Sequence, residues 1–106
     1  MSIFRKQTFD KQLIGRWESD LNDIETKNSV GEVTMHFTSD GKLIYEIKAD
    51  DKIQRINLTY KTMDGLIISD QPSSHRVEKT KYKIDNDNIL TLEFEGKKTK
   101  FIRTNK

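Results

Sequence analysis

Glu32-Val33-Thr34-Met35-His36-Phe37-Thr38-Ser39-Asp40-Gly41-Lys42-Leu43-Ile44-Tyr45-Glu46-Ile47 is the stretch that decides the fold of this chain. Val33, Met35 and Phe37 recur at every second residue, and so do Leu43, Tyr45 and Ile47. A strand turns successive side chains to opposite faces, so each triplet is one apolar stripe. Between the stripes stands Ser39-Asp40-Gly41-Lys42, whose Asp-Gly pair accepts the positive φ angles of a tight hairpin turn. The repeat unit is therefore a strand with one apolar face, a short turn, and a second such strand.

Working outward, the unit repeats. Asp50-Asp51-Lys52 turns the chain into a third stripe, Ile56, Leu58 and Tyr60. Asp64-Gly65 is the next hairpin signal, followed by Leu66-Ile67-Ile68-Ser69. After Gln71-Pro72-Ser73-Ser74, a polar strand places Glu78, Thr80, Tyr82 and Ile84 on one face and Lys79, Lys81 and Lys83 on the other. The Asp85–Asn88 cluster turns again. Leu90, Leu92 and Phe94 then face inward and Glu93 and Glu95 outward, and Gly96-Lys97 leads into a last strand with Thr99, Phe101 and Arg103 inside. Upstream, a first strand is expected over Arg16–Asp20. Phe9 and Leu13 stand four residues apart, which predicts a short N-terminal helical segment ended by Gly15. The sum is about eight strands joined by short turns, a meander whose edges are removed by closure into an up-and-down barrel. The expectation is an all-β, single antiparallel barrel domain spanning residues 1–106, with an open half-barrel or small sandwich as the alternative.

Bulk properties bound the rest. A chain of 106 residues supports one core. Hydrophobic and charged residues stand at 33% and 34%, yet the net charge is only +2 and the apolar residues alternate, which argues for order. The absence of cysteine excludes disulfides and thiolate metal sites and fits a reducing compartment. Met1–Lys6 lacks the apolar run of a secretory leader, and no stretch approaches the roughly 20 apolar residues of a membrane helix. A cytoplasmic protein with no membrane partner is expected. Residues 1–53 carry 8 Lys+Arg against 10 Asp+Glu, and residues 54–106 carry 11 against 7. Such an asymmetry is more often solvated surface than a binding dipole.

Gly15-Arg16-Trp17 opens the first strand and Arg103 sits on the last. With Phe37 to Leu43, Asp70 to Ser73 and Phe101 to Arg103, this run resembles short bacterial lipocalin-like, or calycin-type, barrel proteins. The resemblance implies that the Trp17 indole plugs the barrel floor with the Arg103 guanidinium laid across it, an arrangement stabilised by cation–π attraction. It speaks to the fold more than to an activity. At this length the barrel interior is expected to be small and largely filled by its own side chains.

The residues that carry chemistry are few. Asp70-Gln71-Pro72-Ser73-Ser74-His75-Arg76 gathers a carboxylate, two hydroxyls, an imidazole and a guanidinium, but no nucleophile elbow surrounds its serines. It reads first as a turn and second as a binding loop. His36 and His75 are far apart, with His36 on an outward face, so no metal site or cofactor is expected. Lys79, Lys81, Lys83, Lys98 and Lys100 could track phosphates, but Glu93 and Glu95 lie on the strand between them, and cross-strand pairing accounts for the charges without nucleic acid. Tyr45, Tyr60 and Tyr82 face inward, and their hydroxyls need partners: water or a small amphipathic ligand clustered near an open end. The leading expectation is non-enzymatic binding of a small, partly apolar ligand by Tyr45, Tyr60, Tyr82, Ser73, His75 and Arg76. The rival is a protein-interaction module, an inhibitor or immunity-type factor, using the outer surface; oligomeric state is left open.

Overall fold

Strands with one apolar face bury it only against another layer, and here the layer is the same sheet closed on itself. The computed structural model describes residues 10–73, 76–85 and 88–104. Its elements in chain order are β1 (Gly15–Ser19), α1 (Ile24–Ser29), β2 (Glu32–Phe37), β3 (Lys42–Ala49), β4 (Lys52–Met63), β5 (Leu66–Gln71), β6 (Arg76–Ile84), β7 (Ile89–Phe94) and β8 (Lys97–Thr104). Each strand pairs antiparallel with the next, and β8 returns to β1 through Trp17↔Arg103 and Ser19↔Phe101. The result is a closed up-and-down barrel of eight strands; closure excludes the open half-barrel and the sandwich. The hairpin turns follow the sequence. Asp64 and Gly65 take φ of 52° and 78°, the paired left-handed dihedrals that match the twist of the flanking strands.

The inward stripes make the core: Trp17, Val33, Met35, Phe37, Leu43, Tyr60, Ile67, Leu90 and Phe101 are buried, joined by Leu13 from before β1. One end of the barrel is closed by the turns at Thr38–Gly41 and Asp64–Gly65, by Asp85 and Asn88, and by residues 10–14. At its centre the Arg103 guanidinium carbon lies 4.2 Å from the Trp17 ring centroid. The guanidinium also donates to the carbonyls of Ile14 (3.1 Å) and Gln12 and to Asn88 Oδ1 (3.2 Å). Trp17 Nε1 donates to the Leu13 carbonyl at 2.9 Å, so the indole is satisfied on its edge and covered on its face. Gly15 explains itself here. Its φ is +132°, and a Cβ would stand 3.0 Å from Arg103 Nη1. Only glycine lets the arginine pass over the start of β1.

Two local features refine the sequence reading. The short helical segment or helical turn expected at the N-terminus is, over its described part, a turn, with the Leu13 N–H on the Asp10 carbonyl (2.9 Å) and the Gln12 N–H on Asp10 Oδ1 (3.0 Å). Arg103 takes the carbonyls of Gln12 and Ile14, and the next residues extend into β1. Phe9 lies outside the described residues. The helix stands instead between β1 and β2. Its N-cap is Asp23, whose Oδ2 accepts from the Thr26 N–H (3.1 Å) and hydroxyl (2.6 Å). Thr26 is fully buried, and its Oγ1 accepts the Lys100 N–H at 2.7 Å, pinning α1 to β8. No helix among the described residues is long and apolar enough to cross a membrane.

Candidate functional site

Strands that close a barrel must tilt, so residues of the same parity on neighbouring strands climb toward one end. Trp17 at the floor pairs with Met35, Met35 with Tyr45, and Tyr45 with Ile56, and the last three line a cavity at the other end. That open end is bordered by α1 and by the turns at Asp50–Asp51, after Gln71 and at Glu95–Gly96. The cavity has a volume of about 490 Å³. The interior is therefore less filled than the chain length leads one to expect.

Its shape follows from side-chain size. Phe37, Leu43, Ile67 and Phe101 form the base, and Met35, Ile56, Leu58 and Leu92 the apolar walls. Toward the mouth the inward positions become small or polar: Ser69 and Gln71 on β5, Glu78 and Thr80 on β6, Thr99 on β8. Residues of that size leave unfilled the space that indole and phenyl rings fill lower down. Arg76, Phe94, Glu95 and Lys97 ring the mouth. Phe94, read as an inward core residue, is 38% exposed because β7 ends there at the rim.

The three tyrosines divide between the two ends. Tyr45 lines the cavity, and burial, with the Glu78 charge adding to it, pushes its hydroxyl pKa up. Tyr60 sits at the closed end, its ring edge-on to Phe37 at 5.0 Å and its hydroxyl donating to the Thr38 carbonyl at 2.8 Å. Burial foremost, then the charges of Asp10 and Asp40, push its pKa up to about 12. The Tyr82 hydroxyl donates to Asp10 Oδ2 at 2.6 Å, while the Asp10 N–H is held by Thr62 Oγ1 (3.1 Å). Burial and that carboxylate push the Tyr82 pKa upward. Tyr60 and Tyr82 thus spend their hydroxyls holding the closed end together and do not join Tyr45 at the mouth.

Arg76, the first residue of β6, lines the cavity mouth, and its Nε lies 3.4 Å from Glu78 Oε2. Ser73 is exposed in the turn and accepts from Gln71 Nε2 at 3.4 Å. His75, with Ser74, lies outside the described residues. Ser69, Gln71, Glu78 and Thr80 were not singled out from the sequence, although Glu78 and Thr80 stood on the inward face; polar side chains at inward positions were the available signal. On the outer face Glu93 pairs in register with Lys81 on one side and Lys98 on the other, the juxtaposition expected for neutralised surface charge. No protein-family model, curated protein or solved structure matches the chain.

Proposed function

We propose that this protein is a non-enzymatic, lipocalin-like barrel that binds a small, partly apolar ligand at its open end. The observation that carries the reading is the cavity of about 490 Å³, apolar at its base and polar toward its mouth. Small-molecule sites are of this kind, concave and mostly apolar, with a few placed polar groups and volumes of roughly 300–1,000 Å³. The lipocalin-like assignment is supported by the Gly15-x-Trp17 start of β1 and the Arg103 stack on the indole. The test is titration with Nile red, a neutral apolar dye. One dye should bind per chain with saturable enhancement of its emission and be displaced by decanol. Leu92→Trp, which fills the cavity from β7, should abolish binding while the melting temperature stays close to that of the parent. Unsaturable dye binding, or binding untouched by Leu92→Trp, refutes the reading.

A second reading, a protein-interaction module, is favoured by β4. Its residues Thr59–Met63 pair with β5, whereas Lys52–Leu58 pair with β3 alone among the described residues. That leaves a backbone edge able to take a partner strand, with Ile53 63% exposed upon it. Loss of a protein partner on Ile53→Lys, with dye binding unchanged, would favour it.

A further inference from the structure

The charges around the cavity are unequal in depth. Glu95 stands in the exposed β7–β8 turn and Lys97 directly follows it. Arg76 pairs in register with Gln71 at the end of β5, and its side chain is 73% exposed. Glu78 is one step further in: it pairs with Ser69, and its side chain is 41% exposed. Glu78 and Tyr45 on β3 line the same cavity, and the Glu78 charge adds to burial in raising the Tyr45 hydroxyl pKa. That hydroxyl has no hydrogen-bond partner among the described residues. Glu78 Oε2 faces Arg76 at 3.4 Å, and a carboxylate has a second oxygen able to accept further donors.

Resting on the ligand-binding reading above, we infer that Glu78, with the Tyr45 hydroxyl, is the specificity-determining pair of the cavity and selects apolar ligands that carry an amine or another cationic N–H donor. A carboxylate only partly exposed to water, beside an apolar chamber, gains most from a partner that brings positive charge and hydrogen-bond donors together. The rim cations do not offset this. They stand in solvent, where attraction is screened, and Arg76 already faces Glu78. The whole chain has a net charge of +2, so its long-range field favours anions; a preference for amines must come from the site itself.

The experiment is calorimetric titration near neutral pH of the full chain with three probes sharing one tail: decanol, decylamine and decanoate. Decylamine should bind about tenfold tighter than decanol, the factor one charge-assisted hydrogen bond supplies, and decanoate more weakly than decanol. Glu78→Gln should bring decylamine to the decanol level and leave decanol unchanged. Tyr45→Phe should weaken decylamine severalfold with little effect on decanol. Arg76→Met, which frees Glu78, should strengthen decylamine binding. Decanoate binding tighter than decanol and lost in Arg76→Met, or an amine preference that survives Glu78→Gln, overturns the inference. Decanol binding with no charge preference overturns it while leaving the ligand-binding reading standing; failure of all three probes to bind refutes both.

Discussion

Replacing Arg103 with methionine tests how the barrel floor is held. The variant keeps an unbranched apolar side chain over the Trp17 ring and removes the planar cation. Three contributions are lost. The guanidinium sits 4.2 Å from the ring centroid, within cation–π range, for about 0.5–2 kcal/mol. The bond to the Ile14 carbonyl is part-buried, and losing it costs about 1–1.5 kcal/mol. The bonds to the Gln12 carbonyl and Asn88 are exposed, and water replaces them for about 0–1 kcal/mol together. The expected loss is about 1.5–4.5 kcal/mol, a large share of the roughly 5–15 kcal/mol that holds a domain folded. At about 4–8 °C per kcal/mol for a chain of this size, the melting temperature should fall by about 6–36 °C. Trp17 is the only tryptophan, so its fluorescence reports the floor directly in urea unfolding. Arg103→Lys keeps the charge but not the fork, and should recover no more than about half of the loss. A double-mutant cycle with Trp17→Leu, followed by circular dichroism in urea, should show a coupling of about 0.5–2 kcal/mol. An Arg103→Met variant within about 0.5 kcal/mol of the parent would refute the reasoning, because the guanidinium would then be closing nothing.

Other perturbations read other joints. Gly15→Ala must strain a φ of +132° and press a Cβ to 3.0 Å from Arg103 Nη1, and should cost about 1–3 kcal/mol in chemical denaturation. Thr26→Val leaves the Lys100 N–H without its acceptor and removes the hydroxyl from Asp23, for an expected loss of about 1–3 kcal/mol by the same measurement. The Thr26 hydroxyl, followed by its N–H and the Lys100 charge, holds the Asp23 carboxyl below its ordinary 3.8 against the opposing effect of burial. A lowered carboxyl pKa contributes stability that is complete above that value and is lost as pH falls below it. An acid titration of stability should show this limb in the parent and a shallower one in Thr26→Val. Tyr82→Phe removes the 2.6 Å bond to Asp10 and should accelerate amide exchange at Leu13 while leaving ligand titrations unchanged. All three tyrosines are shifted upward, so the native protein should develop less phenolate absorbance at pH 10 than the unfolded chain. The unfolded chain ionises there, so stability present below about pH 10 should drain away as pH rises toward the Tyr60 value of about 12. A tyrosine titrating normally in the folded state would mean that Tyr45 stands in open water.

Alternation and turn chemistry carried most of the fold because both are local. Val33, Met35 and Phe37 face inward for the same reason as Leu90 and Phe101: the strand period is two, and one face must be dry. The helix at Ile24–Ser29 was harder to read because at six residues its apolar periodicity is too short to register. Its stability comes from Asp23 capping Thr26 and from Thr26 docking on Lys100, and only the cap lies within the local sequence. The site was less legible still, and the tyrosines show why. Parity puts Tyr45, Tyr60 and Tyr82 inside alike, but it says nothing of height along the barrel. Height depends on strand tilt and pairing register, which belong to the closed sheet and to no single strand. Register sets Tyr60 beside Gly41 and Tyr82 beside Gly65, where closed-end groups claim both hydroxyls, while Tyr45 stands between Met35 and Ile56 in the cavity wall. The same logic turns Glu78 from an awkward polar residue on an inward face into a carboxylate in the cavity lining. An inward polar side chain in a small barrel is thus ambiguous until its height is known: at the floor it is a strut, as Tyr60 and Tyr82 are, and higher up it lines the cavity, as Glu78 does.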